Sequence, residues 1–166
     1  MFSPALTGLA ERVLDACRKS RLTLGTAESC TGGLICACLT SVGGSSSVVD
    51  CGFITYTNEA KAELLGVPTI LIATHGAVSE PVARQMALGV LARTRVDIAL
   101  SVTGIAGPTG GTATKPVGLV YLGAARRGRS ALVERHLFTG DRDSVRLASV
   151  QRALEMAMLL AGEEQA

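Results

Sequence analysis

A serine hydroxyl, a tyrosine hydroxyl and a lysine amine can together attack a carbonyl, provided that something accepts the serine's proton. The chain carries such a set in two stretches. "TAESCTGG", Thr26 to Gly33, sets Ser29 beside Cys30, and "YTNEAK" brings Tyr56 and Lys61. A serine is a weak nucleophile until a neighbouring base takes its proton. Histidine is the usual base, and the chain has two, His75 and His136. His136 lies in an alternating strand pattern and reads as a half-buried structural residue. His75 falls in a loop ahead of a helix, and no Asp–His pairing is readable. A lysine serves instead when desolvation or a nearby cation lowers its pKa. Of the three lysines, Lys19, Lys61 and Lys115, the first sits among charges at a helix end. Lys61 follows a strand-to-helix junction like the one that holds Ser29, and Tyr56, on the preceding strand, is placed to relay or orient a proton. All three residues also have ordinary surface or packing readings. A thiol nucleophile at Cys30 is the alternative, and it lacks an obvious histidine partner. Neither of two common motifs applies: Ala27 stands where G-x-S-x-G needs glycine, and no Gly-Lys-Ser/Thr follows to make a P-loop.

The glycines suggest an anion. Thr31, Gly32 and Gly33 open a helix after a strand, where unpaired N–H groups and the helix dipole favour a phosphate or a carbonyl oxyanion. "TGIAGPTGG", from Thr103 through Gly104, Ala106, Gly107 and Gly110 to Gly111, offers a second such surface, and "GGSSS", with Ser45 and Ser46, a third. Each loop alone reads as a tight turn. Three at strand ends favour a phosphate-bearing ligand.

The elements that must position these residues are readable from periodicity. Ser3 is an N-cap with Pro4 in the first turn, and Leu6, Leu9, Val13 and Cys17 form one apolar stripe. "LTLGTAES" is a strand and "LICACLTSV" a buried helix. "CGFITYTN" is a strand rich in β-branched and aromatic residues, and "EAKAELLG" a helix closed by Gly66. A helix starting at Ser79 carries Val82, Met86 and Val90 on one side. "DIALSVTGIAG" is a buried strand, "GLVYLGAAR" and "ALVERHLF" are adjacent strands joined at Gly128, and the last helix turns Leu147, Val150, Leu154 and Met158 inward. The order α-β-α-β-α-α-β-β-β-α predicts a single three-layer α/β/α domain over residues 1–166 with a mixed sheet, without repeat or linker.

Composition narrows the function. Residues of the set AVILMFWYC make up 48% of the 166, with no Trp, so the core is built from Ala, Val, Leu and Ile. A net charge of +2 from intermixed charges fits a solvated surface and not a nucleic-acid face. No stretch has the length and apolarity of a membrane span, and the N-terminus lacks a signal-peptide layout, so a cytoplasmic location is expected. The five irregularly spaced cysteines then read as reduced core residues, with neither zinc nor a disulfide.

Taken together, "AESCTGG", "GFITYTNEAK", "GAVSE", "TGIAGPTGG", "KPVG" and "GDRDSVR" are in the order and spacing of one family over nearly the whole chain. The chain resembles the CinA C-terminal-domain family, nicotinamide-nucleotide amidases of the PncC type. The resemblance implies hydrolysis of nicotinamide mononucleotide to nicotinate mononucleotide and ammonia in pyridine-nucleotide salvage, with neither metal nor organic cofactor. It makes Ser29 the nucleophile and Tyr56 and Lys61 its activating partners. Thr31, Gly32, Gly33, Asn58 and the "TGIAGPTGG" loop match ligand-binding segments, with Arg142 or a glycine-rich loop for the phosphate and Cys30 lining the pocket. N–H groups near Thr31 to Gly33 would hold the oxyanion. The expected partners are a small nucleotide substrate and further copies of the chain, a homo-oligomer of two or more, and no nucleic acid or membrane. The chain looks like the form without the larger N-terminal domain of full-length CinA proteins. It departs from the family at Thr109, where Asp is usual, and at Gly43 to Ser46, where "GGSS" replaces "PGSS". A rival reading is a regulatory nucleotide-binding module without turnover, which leaves Tyr56 and Lys61 without a role.

Overall fold

The structure, a computed structural model, describes residues 1–162. Five strands form one mixed sheet in the order β2-β1-β3-β4-β5, with β1 (Leu24–Glu28), β2 (Val49–Ile54), β3 (Ile98–Gly104), β4 (Leu119–Arg126) and β5 (Leu132–Leu137). β1 runs parallel to β2 and β3, while β4 and β5 pair antiparallel. One face is covered by α1 (Pro4–Lys19), α2 (Leu34–Thr40) and α6 (Arg142–Gly162), and the other by α3 (Asn58–Leu65), α4 (Thr69–His75) and α5 (Glu80–Arg93). The layering is the α/β/α arrangement expected. Both cores consist mainly of Ala, Val, Leu, Ile, Met and Cys.

Capping sets the helix starts. Ser3 Oγ accepts the Leu6 N–H ahead of Pro4, and Thr57 Oγ1 accepts the Ala60 N–H at the start of α3. Gly66, at φ 71°, stops α3 in the left-handed conformation.

Three expectations are corrected. "TILIATH" forms α4, an element absent from the sequence reading because its β-branched residues and the preceding Pro68 argue against a helix. His75 is therefore the last residue of that helix, not part of a loop. β2 ends at Ile54, so Tyr56 lies in the loop before α3. In α6, Leu147 is exposed and Met158 only partly buried. Val145, Met156 and Leu160 face inward beside the expected Val150 and Leu154, because α6 packs on both α1 and the sheet, with its small residues Ser149, Ala153 and Ala157 buried as well.

The connections place the site. β1 passes to α2 on one face, whereas its neighbour β2 passes to α3 on the other. Where adjacent parallel strands send their helices to opposite faces, a crevice opens beyond their carboxyl ends.

Candidate active site

Ser29 is the first residue beyond β1. Its N–H continues the ladder onto Val102 O at 3.0 Å, and the Thr55 N–H donates to Glu28 O at 2.9 Å, so the ends of three strands converge on it. Lys61 lies in the first turn and a half of α3, and its side chain runs back to the same point. Its Nζ is 3.0 Å from Ser29 Oγ and 2.7 Å from Thr55 O, with Tyr56 O at 3.5 Å.

Burial decides the state of this amine. Lys61 is 1% exposed, Ser29 8%, and no carboxylate lies within ion-pair distance of Nζ among the described residues. An ammonium removed from water without a countercharge costs several kcal/mol, whereas a neutral amine costs far less. Burial therefore pulls the Lys61 pKa below its ordinary value of 10.5. As an ammonium, Nζ donates to Ser29 Oγ and to the two carbonyls; in the neutral form that burial favours, it can donate to the carbonyls and accept from the Ser29 O–H.

The neighbouring Cys30 is in the opposite condition. Burial raises its thiol to about 11, so it stays protonated at neutral pH and packs into the core beneath the site.

The turn after Ser29 is held by a residue that the sequence reading passed over. Glu28 is fully buried, and its carboxylate gathers the amino end of α2. Oε2 accepts from Thr31 Oγ1 at 2.7 Å and from the N–H groups of Gly33 and Ile35 at 3.1 and 3.0 Å, while Oε1 accepts the Cys36 N–H at 2.9 Å. Gly32 and Gly33, at φ 58° and 101°, supply the left-handed turn that lets the chain fold back over this carboxylate. From outside, Arg146 donates to Cys30 O and Thr31 O, both at 3.2 Å.

Of the N–H groups expected to face an anion at Thr31 to Gly33, those of Gly32 and Gly33 are engaged within the chain. The helix start already holds a carboxylate, and the Gly32 N–H is bonded to Ser29 O. Among the described residues, the N–H groups of Cys30 and Thr31 have no backbone acceptor. An acidic residue one position before a strand-to-helix turn was the available signal, since such a residue can reach the helix's free N–H groups.

A cleft of about 320 Å³ opens over Ser29 and Lys61. It brings together Ser29, Cys30, Tyr56, Lys61, Thr103, Gly104, Ala106, Gly107, Gly110 and Arg142 from the sequence-predicted set, and it adds Ala77, Val78, Ile105 and Thr109. The other candidates lie elsewhere. Thr31, Gly32 and Gly33 form the turn just described. Ser45 and Ser46 precede the amino end of β2, away from the carboxyl ends that hold the cleft, in a short 3₁₀ turn held by Arg18 through Gly44 O and Ser47 Oγ. Asn58 is exposed at the start of α3 and borders a separate hollow with Thr69 and Ile72. Gly111 packs against Val117.

Tyr56 also departs from its expected place in the relay. Its side chain is 60% exposed, and its hydroxyl accepts from Arg142 Nη2 at 3.1 Å. Arg142 Nη1 in turn donates to Gly107 O at 2.8 Å, so this guanidinium bridges two sides of the cleft mouth. His136 is 2.7 Å from the Glu134 carboxylate and stacks on Phe138 at 5.0 Å, remote from the dyad. Among the described residues no His/Cys/Asp/Glu cluster suits a metal, and no helix is long and apolar enough to cross a membrane.

Known proteins share both sequence and shape. The profile of the CinA C-terminal domain matches residues 6–160. The nicotinamide-nucleotide amidohydrolase PncC of Escherichia coli K12 is 45% identical over 155 residues, 93% of this chain and 94% of that protein. A CinA-like protein of Geobacter sp. M21 is 53% identical over 154 residues, and this chain spans only 37% of its length. The crystal structure of the competence/damage inducible protein CihA from Agrobacterium tumefaciens superposes with a TM-score of 0.95 at 47% identity, covering 98% of this chain and 99% of that one. A profile that runs almost end to end, with a matching shape, leaves one assignment: the chain belongs to the CinA C-terminal domain family.

Proposed function

We propose that the protein is a nicotinamide-nucleotide amidase, which hydrolyses the carboxamide of nicotinamide mononucleotide to nicotinate mononucleotide and ammonia. The observation that carries this is the buried Ser29–Lys61 pair at 3.0 Å, in the cleft of a chain 45% identical to an amidohydrolase of that name.

Neutral Lys61 takes the Ser29 proton as Oγ bonds to the carboxamide carbon. The resulting oxyanion is held by the N–H groups of Cys30 and Thr31, each such donor typically contributing roughly 3 kcal/mol. Lys61, now an ammonium, passes its proton to the amide nitrogen as the C–N bond breaks, and ammonia leaves. Water then attacks the acyl-enzyme ester, gives a proton to Lys61, and Ser29 Oγ departs with that proton as nicotinate mononucleotide is released. Arg142, at the mouth, pairs with the phosphate, and Tyr56 orients that guanidinium instead of relaying the serine's proton. The reaction belongs to pyridine-nucleotide salvage. A cytoplasmic location and a homo-oligomer are part of the same proposal, checked by cell fractionation and by light scattering.

The decisive experiment incubates purified protein with nicotinamide mononucleotide and follows ammonia and nicotinate mononucleotide, with Ser29→Ala as control. Tight binding without turnover would overturn the amidase in favour of a nucleotide-binding regulatory module.

A further inference from the structure

Two stretches have no part in the dyad: "GAVSE", Gly76 to Glu80, and "KPVG", Lys115 to Gly118. The structure joins them. Lys115 Nζ donates to His75 O, the last carbonyl of α4, and to Val78 O at 2.8 Å. Between these two, Gly76 O accepts from Ser79 Oγ at 2.8 Å and Ala77 O from Thr103 Oγ1 at 2.9 Å. Four successive carbonyls, the last of α4 and the three after it, are thus each satisfied by a side chain, from the 105–118 loop, from β3 and from the amino end of α5. Gly76 sits at φ +76°, a conformation that favours glycine, with Lys115 Nζ close over its Cα.

The other end of this link is the glycine-rich loop. Its base is closed by Gly118 N–H on Ile105 O at 2.7 Å and Ile105 N–H on Leu119 O at 2.9 Å. Around Lys115 it is folded back by the Thr112 N–H on Lys115 O at 2.7 Å and the Lys115 N–H on Thr112 Oγ1 at 3.0 Å. Ala77 and Val78 line one side of the cleft, and Ile105 to Gly107, with Thr109 and Gly110, line another. Lys115 itself does not line it. It lies behind both walls and fastens one to the other.

We propose that Lys115 is a positioning residue which, by tying the glycine-rich loop to the His75–Val78 segment, fixes the two walls between which the substrate's ring and phosphate are held; this rests on the amidase reading of the same cleft. With their carbonyls engaged, Ala77 and Val78 offer the cleft a largely apolar contact that suits the face of a heteroaromatic ring. Loss of the ammonium leaves two carbonyls without their donor and frees a loop that must then be ordered by the substrate. The cost falls on binding, because Ser29 and Lys61 are held by β1, β3 and α3, which Lys115 does not touch.

The test uses Lys115→Met and Lys115→Arg in the full chain. Lys115→Met is expected to raise KM for nicotinamide mononucleotide about tenfold or more with kcat within about threefold. Lys115→Arg, which keeps a cation with several donors, recovers part of the loss. Phosphonylation of Ser29 by a small alkyl fluorophosphonate, which needs the dyad but not the walls, should proceed at the wild-type rate in both variants. Amide hydrogen exchange in Lys115→Met should quicken at residues 76–78 and 106–115 and nowhere near Ser29. If the wild type fails to hydrolyse this nucleotide, the amidase reading falls, while exchange and phosphonylation still judge the tether. Unchanged exchange at both walls, an unchanged KM in an active enzyme, or phosphonylation falling together with kcat would each overturn the proposal.

Discussion

Replacing Lys61 with Met tests the dyad most directly, because it keeps the length of the side chain and deletes only the amine. General bases contribute about 10²–10⁴-fold, and a nucleophile and its base lose most of their joint effect when either is removed. Turnover should therefore fall by about 10³-fold or more. Folding should survive. The variant forfeits the bond to Thr55 O, worth about 1 kcal/mol, but also removes a desolvated amine whose lowered pKa opposes folding at neutral pH. The two effects are of opposite sign, so the variant should still show a single cooperative melt. The sign of the pH dependence follows from the same shift. In the folded state Lys61 loses its proton below 10.5, whereas the unfolded chain keeps it until 10.5. Wild-type kcat/KM should thus rise with pH through the lowered pKa and level off below 10.5. Stability should rise across the same window, where the unfolded state binds the extra proton, and Lys61→Met should lose that rise. The assays are initial rates of ammonia release from pH 6 to 10 and thermal melts over that range. An active Lys61→Met, or a wild-type rate that falls as pH increases from 6 to 9, would refute the reasoning.

Cys30→Ala should retain most activity, because a thiol raised to about 11 supplies no thiolate at neutral pH; a folded but inactive variant would instead promote the thiol mechanism. Ser29→Ala should bind nicotinamide mononucleotide by calorimetry while turnover drops by about 10³-fold or more, and loss of binding would make Ser29 a ligand contact. Arg142→Ala should raise KM about tenfold for the nucleotide, with a smaller effect at high salt; equal KM values for variant and wild type would place the phosphate elsewhere. Glu28→Gln should lower stability by about 2–4 kcal/mol, since its amide puts N–H groups against the N–H donors that surround the carboxylate; a melting temperature within a degree of wild type would contradict that account.

Much of the fold was legible because its signals are local. The stripe Leu6, Leu9, Val13 and Cys17, the Ser3–Pro4 start and the glycine stop at Gly66 act within a few residues, and each element they mark is present. α4 was not legible, because its helix is held by packing of Ile72 in the second core and not by propensity. Leu147 and Met158 misled for a related reason. Three- and four-residue spacing identifies a stripe, but α6 contacts two layers and buries a broader face than one stripe describes. At the site, Ser29 and Lys61 were legible as residue types at matching junctions. The hydroxyl of Tyr56 was not, since its partner, Arg142, is 86 residues further along the chain. Glycine runs showed where turns occur, not what fills them. The run at Gly32–Gly33 closes over a carboxylate of the chain itself, while the run from Gly104 to Gly110 opens on the cleft.

Glu28 and Lys61 divide the work of one buried polar site in a way that explains both. Each is an ionisable side chain taken from water beside Ser29, yet only one is compensated. Four donors surround Glu28, three of them backbone N–H groups at the start of α2, so both of its oxygens are hydrogen-bonded and the turn is held rigid. Lys61 meets two carbonyls and a hydroxyl but no carboxylate, so its charged form is the costly one. Gly32 and Gly33 supply the left-handed turn that folds the amino end of α2 onto Glu28. The glycines of "TAESCTGG" thus shape the site at one remove: they fold the start of α2 over Glu28, next to an amine that burial holds below its ordinary pKa.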